Sequence, residues 1–155
     1  MKNYTLQKLT ALAAALWIGI AGAAQTCIPG NRFTEQNFCN IDSIRDVAYT
    51  QPQYYLETPA TLRMDVYLPS FPNGDPLPQR PFVLLIHGGG FQIGGRQQFR
   101  EECRMFARRG FVAATIDYRL GYDCAQGPDE YNKAVYRAVQ DARAALRFAA
   151  SNATN

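Results

Sequence analysis

A chain of 155 residues, 47% of them hydrophobic, is long enough for one globular domain and too apolar to be disordered. Its formal charge of +3 includes Lys2 and Lys8 at the extreme N-terminus, and the remainder is close to neutral. That balance gives no electrostatic basis for nucleic acid or an anionic membrane surface as partner. Arg108, Arg109, Arg143 and Arg147 are instead expected late in helices, where they complement the dipole.

Residues 1–24 have the layout of a secretory signal. Lys2 and Lys8 form a positive region, Leu9 to Ala21 is uncharged, and Ala21-Gly22-Ala23 reads as a cleavage site. The apolar run is shorter than the roughly 20 residues of a membrane span. The protein is therefore expected to be secreted or periplasmic, with no membrane contact after cleavage. In that oxidising setting Cys27, Cys39, Cys103 and Cys124 suggest disulfides, the sequence-local pairing being Cys27 with Cys39 and Cys103 with Cys124. A buried free thiol is the alternative for Cys103, which shares a helix face with Phe99, Phe106 and Ala107. No close cysteine pair of the zinc-binding kind exists, and no metal is expected.

Residues 25–59 read as a polar arm with a short strand near Val47 to Tyr49. Leu62, Met64, Val66 and Leu68 then alternate with Arg63, Asp65 and Tyr67, the pattern of a half-buried strand. Five of the nine prolines lie between Pro69 and Pro81, marking a loop with an Asn73-Gly74-Asp75 turn. Phe82 to Ile86 is a continuous apolar run, predicting a strand covered on both faces. It ends in His87-Gly88-Gly89-Gly90-Phe91. A helix is predicted from Gln97 to Arg109, closed by Gly110, then a second buried strand from Phe111 to Ile116. The last helix opens at Pro128, with Asp129 and Glu130 in its first turn. Val135, Ala138, Val139, Ala142, Leu146 and Ala149 recur at helical spacing as its expected apolar face. Buried strand, helix, buried strand, helix is an α/β pattern.

The glycine cluster between strand and helix has three physical readings. A phosphate-binding loop fails because Arg96-Gln97 stand where lysine and a hydroxyl residue are required. A dinucleotide fingerprint fails because Ile93 occupies the third glycine position. An oxyanion loop is the third reading, beside a purely structural turn: backbone N–H groups converge on a developing alkoxide only where the chain bends tightly, which glycine permits. The HGGG pattern after the third strand is the form this loop takes in lipases and esterases. His87, the chain's single histidine, is expected to brace the loop and not to act as a general base.

Three stretches make the resemblance specific: Leu62 to Pro69, Pro81 to Phe91 with Gly94-Gly95, and Arg109 to Gly121 with its Asp117-Tyr118-Arg119 segment. Together with the helix Ala138 to Arg147, they resemble α/β-hydrolase-fold esterases. Within that fold they look most like secreted bacterial carboxylesterases related to the bifunctional feruloyl and acetyl-xylan esterases. The resemblance implies a mostly parallel sheet flanked by helices, with Gly89 and Gly90 as oxyanion donors and His87, Gly88 and Phe91 supporting their loop. It implies a serine carboxylic ester hydrolase with no cofactor, acting on a small-molecule or polysaccharide ester. Asp117-Tyr118-Arg119 is expected to brace the loop. Phe91, Gln92 and Tyr122 are expected along one wall of the site.

The resemblance also implies a G-x-S-x-G nucleophile, then an acid and a catalytic histidine. Ser43, Ser70 and Ser151 lie in no such motif, so residues 60–155 are expected to be the N-terminal part of the domain, inactive alone and without the triad. The strand Phe82 to Ile86 would then present an unpaired apolar edge, and the isolated chain would be marginally folded. Two other readings stay open: an exported serine peptidase of the prolyl-oligopeptidase type, and a truncated non-catalytic binding protein.

Overall fold

Two central strands organise the molecule. The computed structural model describes residues 31–52, 61–70 and 79–153. Four strands, β1 (Ile41–Thr50), β2 (Leu62–Pro69), β3 (Phe82–Ile86) and β4 (Val112–Ile116), form one sheet in the order β1-β2-β4-β3. The pairs β1–β2 and β2–β4 are antiparallel, and β3 runs parallel to β4. A parallel neighbour requires a crossover, supplied by α1 (Arg100–Arg108). The long helix α2 (Pro128–Ser151) comes after β4.

The helices cover opposite faces. Under α1, Cys103 and Ala107 pack on Tyr67 and Ala113. Under α2, Ala145 packs with Tyr49, Leu62, Met64 and Ile116. Ala113, Ala114 and Ala145 are fully buried, and their small side chains let helix and sheet backbones approach closely.

Several elements depart from the sequence expectation. The strand expected near Val47 to Tyr49 is ten residues long, hidden from pattern reading because most of its side chains are exposed. β2 is not half-buried: Asp65 and Tyr67 are as buried as Leu62 and Met64, because one helix covers each face. β3 is covered on both faces only in part: Leu84 packs against one core cluster and Leu85 against the other, while Ile86 is 44% exposed, and β4 is its one paired neighbour among the described residues. The predicted helix from Gln97 begins as a 3₁₀ turn, Arg96–Phe99, and becomes α-helical only at Arg100. Gly110 closes it in the left-handed region (φ 98°), donating to the Ala107 carbonyl.

α2 is rotated from its expected face. Its buried residues are Glu130, Ala134, Arg137, Asp141 and Ala145, while Val139 and Leu146 are about half exposed. The ion pair that reaches another segment orients it: Asp141 accepts from Arg119, while Arg137 donates to Glu130 at 2.9 Å within the helix itself. Asp141 faces inward to meet Arg119, and the flank of Val139 and Leu146 turns away. Arg143 and Arg147 also fall short of the last turn, which holds no basic residue; Arg108 does lie in the last turn of α1.

Cys103 and Cys124 do not form the expected disulfide. Cys103 is a buried free thiol against Tyr67 and Ala107, and Cys124 is exposed. The predicted leader, Cys27, and the Asn73-Gly74-Asp75 turn lie outside the described residues. Among the described residues, no helix is long and apolar enough to cross a membrane.

Candidate active site

β3 ends at Ile86, and the chain must leave the sheet at once without burying unpaired polar groups. His87 makes the turn. Its ring is buried and stacks on Tyr118, centroids 4.4 Å apart and planes 20° from parallel. The Tyr118 hydroxyl donates to the His87 carbonyl at 2.9 Å, and His87 Nδ1 lies 2.7 Å from the Gly88 carbonyl. A proton on Nδ1 makes that contact a hydrogen bond and leaves Nε2 an acceptor, buried and without a partner among the described residues.

The glycines serve different ends. Gly89 has φ 120°, and a Cβ there would overlap the Ile93 carbonyl. Its own carbonyl accepts from Gln92 and Ile93, closing the tip of the loop. Gly94, at φ 119°, packs so closely on the His87 ring and the Gly88 carbonyl that no side chain fits. Gly88 and Gly90 meet open space, Gly90 in the left-handed region at φ 61°. Residues 88–90 are exposed, and within the described residues neither the Gly89 nor the Gly90 N–H has an acceptor.

Phe91 is the one residue of this loop with a side chain in the left-handed region (φ 62°). Its carbonyl accepts from Gly121 at 2.8 Å and Tyr122 at 3.1 Å. Its ring makes edge contacts with Tyr118 and Tyr131, and Tyr131 does the same with Tyr122. Phe91 and Tyr122 are thus joined through Tyr131, a residue with no signal in the sequence, and Gln92 is exposed on the same loop. Tyr131 lies in the first turn of α2, where an aromatic residue carries no local signal for a loop forty residues earlier.

The far end of the loop is held by Arg96. Its backbone N–H donates to Asp117 Oδ1 at 2.9 Å and its guanidinium to Asp117 Oδ2. The same guanidinium reaches Asp65 Oδ1 at 2.9 Å and Asp46 Oδ1 at 2.5 Å. Burial pushes its pKa down, but hydrogen bonds to Asp65 and Asp117 outweigh that, and the net shift is upward. In the sequence, Arg96 stands out only as the residue that excludes a phosphate loop. A signal was present: Asp65 sits inside a strand pattern, and a buried carboxylate needs a cation.

Two irregularities in β1 serve this cluster. Between Ile44 and Val47, the two residues Arg45 and Asp46 stand opposite the single residue Asp65. Asp46 adopts φ 63°, its N–H donates to Asp65 Oδ1, and its carbonyl accepts from Arg63. A second irregularity lies just after Ala48, and Tyr49 beside it donates its hydroxyl to the Asp117 carbonyl at 2.6 Å. Bulges re-aim side chains in this way. Asp117-Tyr118-Arg119 therefore braces the loop as expected: Asp117 holds Arg96, Tyr118 holds His87, and Arg119 ties the segment to α2 through Asp141 at 2.8–3.0 Å.

This strand order, with a clasped glycine loop between β3 and a crossover helix, defines the α/β-hydrolase fold of the esterases. Comparison with known proteins narrows the class. Residues 64–155 match the BD-FAE family model, and the chain belongs to that family, the bifunctional feruloyl and acetyl-xylan esterase-like group. A propionate-bound esterase 2 from Thermogutta terrifontis is 30% identical with a TM-score of 0.53, over 70% of this chain and 35% of that one. An esterase B from Lactobacillus rhamnosis shares the fold, with a TM-score of 0.53 at 23% identity, over 96% of this chain and 39% of that one. Gut esterase 1 of Caenorhabditis elegans is 34% identical over 77 residues, 48% of this chain and 14% of its own length. Methylphloroacetophenone synthase of Cladonia uncialis is 42% identical over 60 residues, 38% of this chain and 2% of its own length. The chain thus spans a small part of its curated relatives and about a third of the solved esterases.

Proposed function

We propose that this chain supplies the oxyanion loop of a secreted or periplasmic serine carboxylic ester hydrolase. The observation that carries the reading is the loop 88–95, fixed at both ends and exposing the Gly89 and Gly90 amides at the C-terminal end of β3. During acyl transfer the ester carbonyl oxygen becomes an alkoxide. Two N–H groups already held in place stabilise that charge without reorganising, each such donor contributing about 100- to 1,000-fold in turnover. His87 acts as a brace: its ring is buried against Tyr118 and occupied at Nδ1, a poor position for shuttling protons. In this reading the nucleophile comes from a G-x-S-x-G segment, and the acid and catalytic histidine from later loops of the same fold, so the 155 residues alone are inactive. The leader at 1–24 and a Cys27–Cys39 bridge belong to the same proposal.

Family membership favours acetyl or feruloyl esters of plant polysaccharide as substrates, and the esterase neighbours favour this over the peptidase reading. The test is turnover by the full-length gene product of 4-nitrophenyl acetate and methyl ferulate, beside an aminoacyl anilide. Ester hydrolysis abolished by a serine-directed phosphonate is the expected result. Hydrolysis of the anilide alone, or of none of the three, overturns the proposal.

A further inference from the structure

We propose that Arg96 is a positioning residue for catalysis: it fixes the far end of the oxyanion loop to β1, to β2 and to the segment after β4 at once, making the N-terminal strand pair part of the catalytic apparatus. The inference rests on the esterase reading. Its basis is a closed circuit of contacts. The loop starts at His87, whose carbonyl is held by Tyr118, and ends at Arg96, whose N–H and guanidinium are held by Asp117. Two adjacent residues after β4 thus pin both ends of the loop, and Gly94 in between lies against His87. Between those pins the loop is fixed by its internal turn, by the bonds from Gly121 and Tyr122 to Phe91 and by the Phe91 ring against Tyr118 and Tyr131.

The pin at Arg96 is more heavily built than loop closure needs. Asp117 alone would suffice to end the loop. Yet Asp65, 2% exposed, aims its carboxylate at the same guanidinium, and β1 bulges so that Asp46 reaches it as well. Burying a carboxylate in a strand and breaking a sheet register both carry a free-energy cost. What they produce is a guanidinium whose Nε, Nη1 and Nη2 each face a different carboxylate, leaving it a single orientation. A planar fork can be fixed this way, whereas a lysine ammonium is a point charge on a flexible stem. Oxyanion donors act only in the transition state, so a small loss of their placement lowers kcat and leaves KM nearly unchanged.

The test uses the full-length protein with 4-nitrophenyl acetate. Arg96→Met and Arg96→Lys are expected to lower kcat about 10- to 100-fold with KM within about threefold, lysine restoring little. Asp46→Ala, at an exposed side chain, is expected to lower kcat about threefold. Hydrogen exchange is read in parallel: the bonded loop amides of Gln92, Ile93 and Arg96 should exchange at least about tenfold faster in Arg96→Met, while those of β2 and β4 stay protected. Wild-type kcat in Arg96→Met, full rescue by lysine, or unchanged loop exchange overturns the proposal. If Arg96→Met does not fold, the Asp46→Ala kcat and exchange decide it, and wild-type values overturn it. A wild-type protein that hydrolyses no ester instead sinks the esterase reading and with it any catalytic role for Arg96; exchange then still reports whether the residue orders the loop.

Discussion

Tyr118 holds His87 in two ways at once, by a near-parallel ring stack at 4.4 Å and by a hydroxyl bond to its carbonyl at 2.9 Å. The two are separable by substitution. Tyr118→Phe keeps the stack and leaves a buried carbonyl unpaired, an expected loss of about 1 kcal/mol. Tyr118→Leu removes the stack as well, adding about another 1 kcal/mol. Urea denaturation of the full-length protein should rank wild type, Phe and Leu in that order; equal midpoints for Phe and wild type contradict the role of the hydroxyl.

The three glycines after His87 are predicted to differ sharply. Gly88→Ala meets open space at an ordinary φ and should change stability by less than about 0.5 kcal/mol. Gly90→Ala also meets open space but at φ 61°, for an expected loss of about 1 kcal/mol. Gly89→Ala drives a methyl into the Ile93 carbonyl at φ 120° and should distort the loop or prevent folding. Thermal melts of the three variants check the ranking.

Alkaline pH should destabilise the protein. Burial pushes the Cys103 thiol up to about 12 from its usual 9.0. Burial also raises the phenols of Tyr49, beside Asp141 and Asp117, and of Tyr118. In each case the folded protein favours the protonated form. The stabilisation is complete below the unfolded values and is lost as pH rises from about 9 toward 12. Melting temperature should therefore fall steadily above pH 9. A flat profile to pH 11 contradicts this, and Cys103→Ala should flatten its lower part.

The same burial predicts thiol selectivity. Iodoacetamide at pH 8 should modify the exposed Cys124 in the native state and Cys103 only after unfolding. Mass spectrometry of native and urea-treated protein reads this directly.

Asp141 should be a costly residue to remove. Its carboxylate accepts from the Arg119 N–H and guanidinium, and its side chain is 3% exposed. Asp141→Ala leaves Arg119 largely buried without its counter-charge, an expected loss of about 3 kcal/mol. Arg119→Ala with Asp141→Ala together should lose less than the sum of the singles in a double-mutant cycle.

The sequence by itself determined the kind of protein. The apolar runs before Ile86 and Ile116, the glycines after His87 and the helix stop at Gly110 are local signals, since backbone preference and turn chemistry act over a few residues. They placed β3, β4 and the loop, and the resemblance they carry agrees with the family match. Tertiary structure decided what holds the loop. Asp46 and Asp65 come from two strands, Asp117 from the segment after β4 and Arg96 from a 3₁₀ turn, and the register of β1 on β2, bulge included, brings Asp46 to the others. It also decided which way α2 faces: apolar periodicity pointed to Val139 and Leu146, but Arg119, on the segment after β4, drew Asp141 inward instead. Periodicity registers hydrophobic burial along one helix. It cannot register a charge whose partner lies on another segment, because that free energy exists only once the chain has brought the two together.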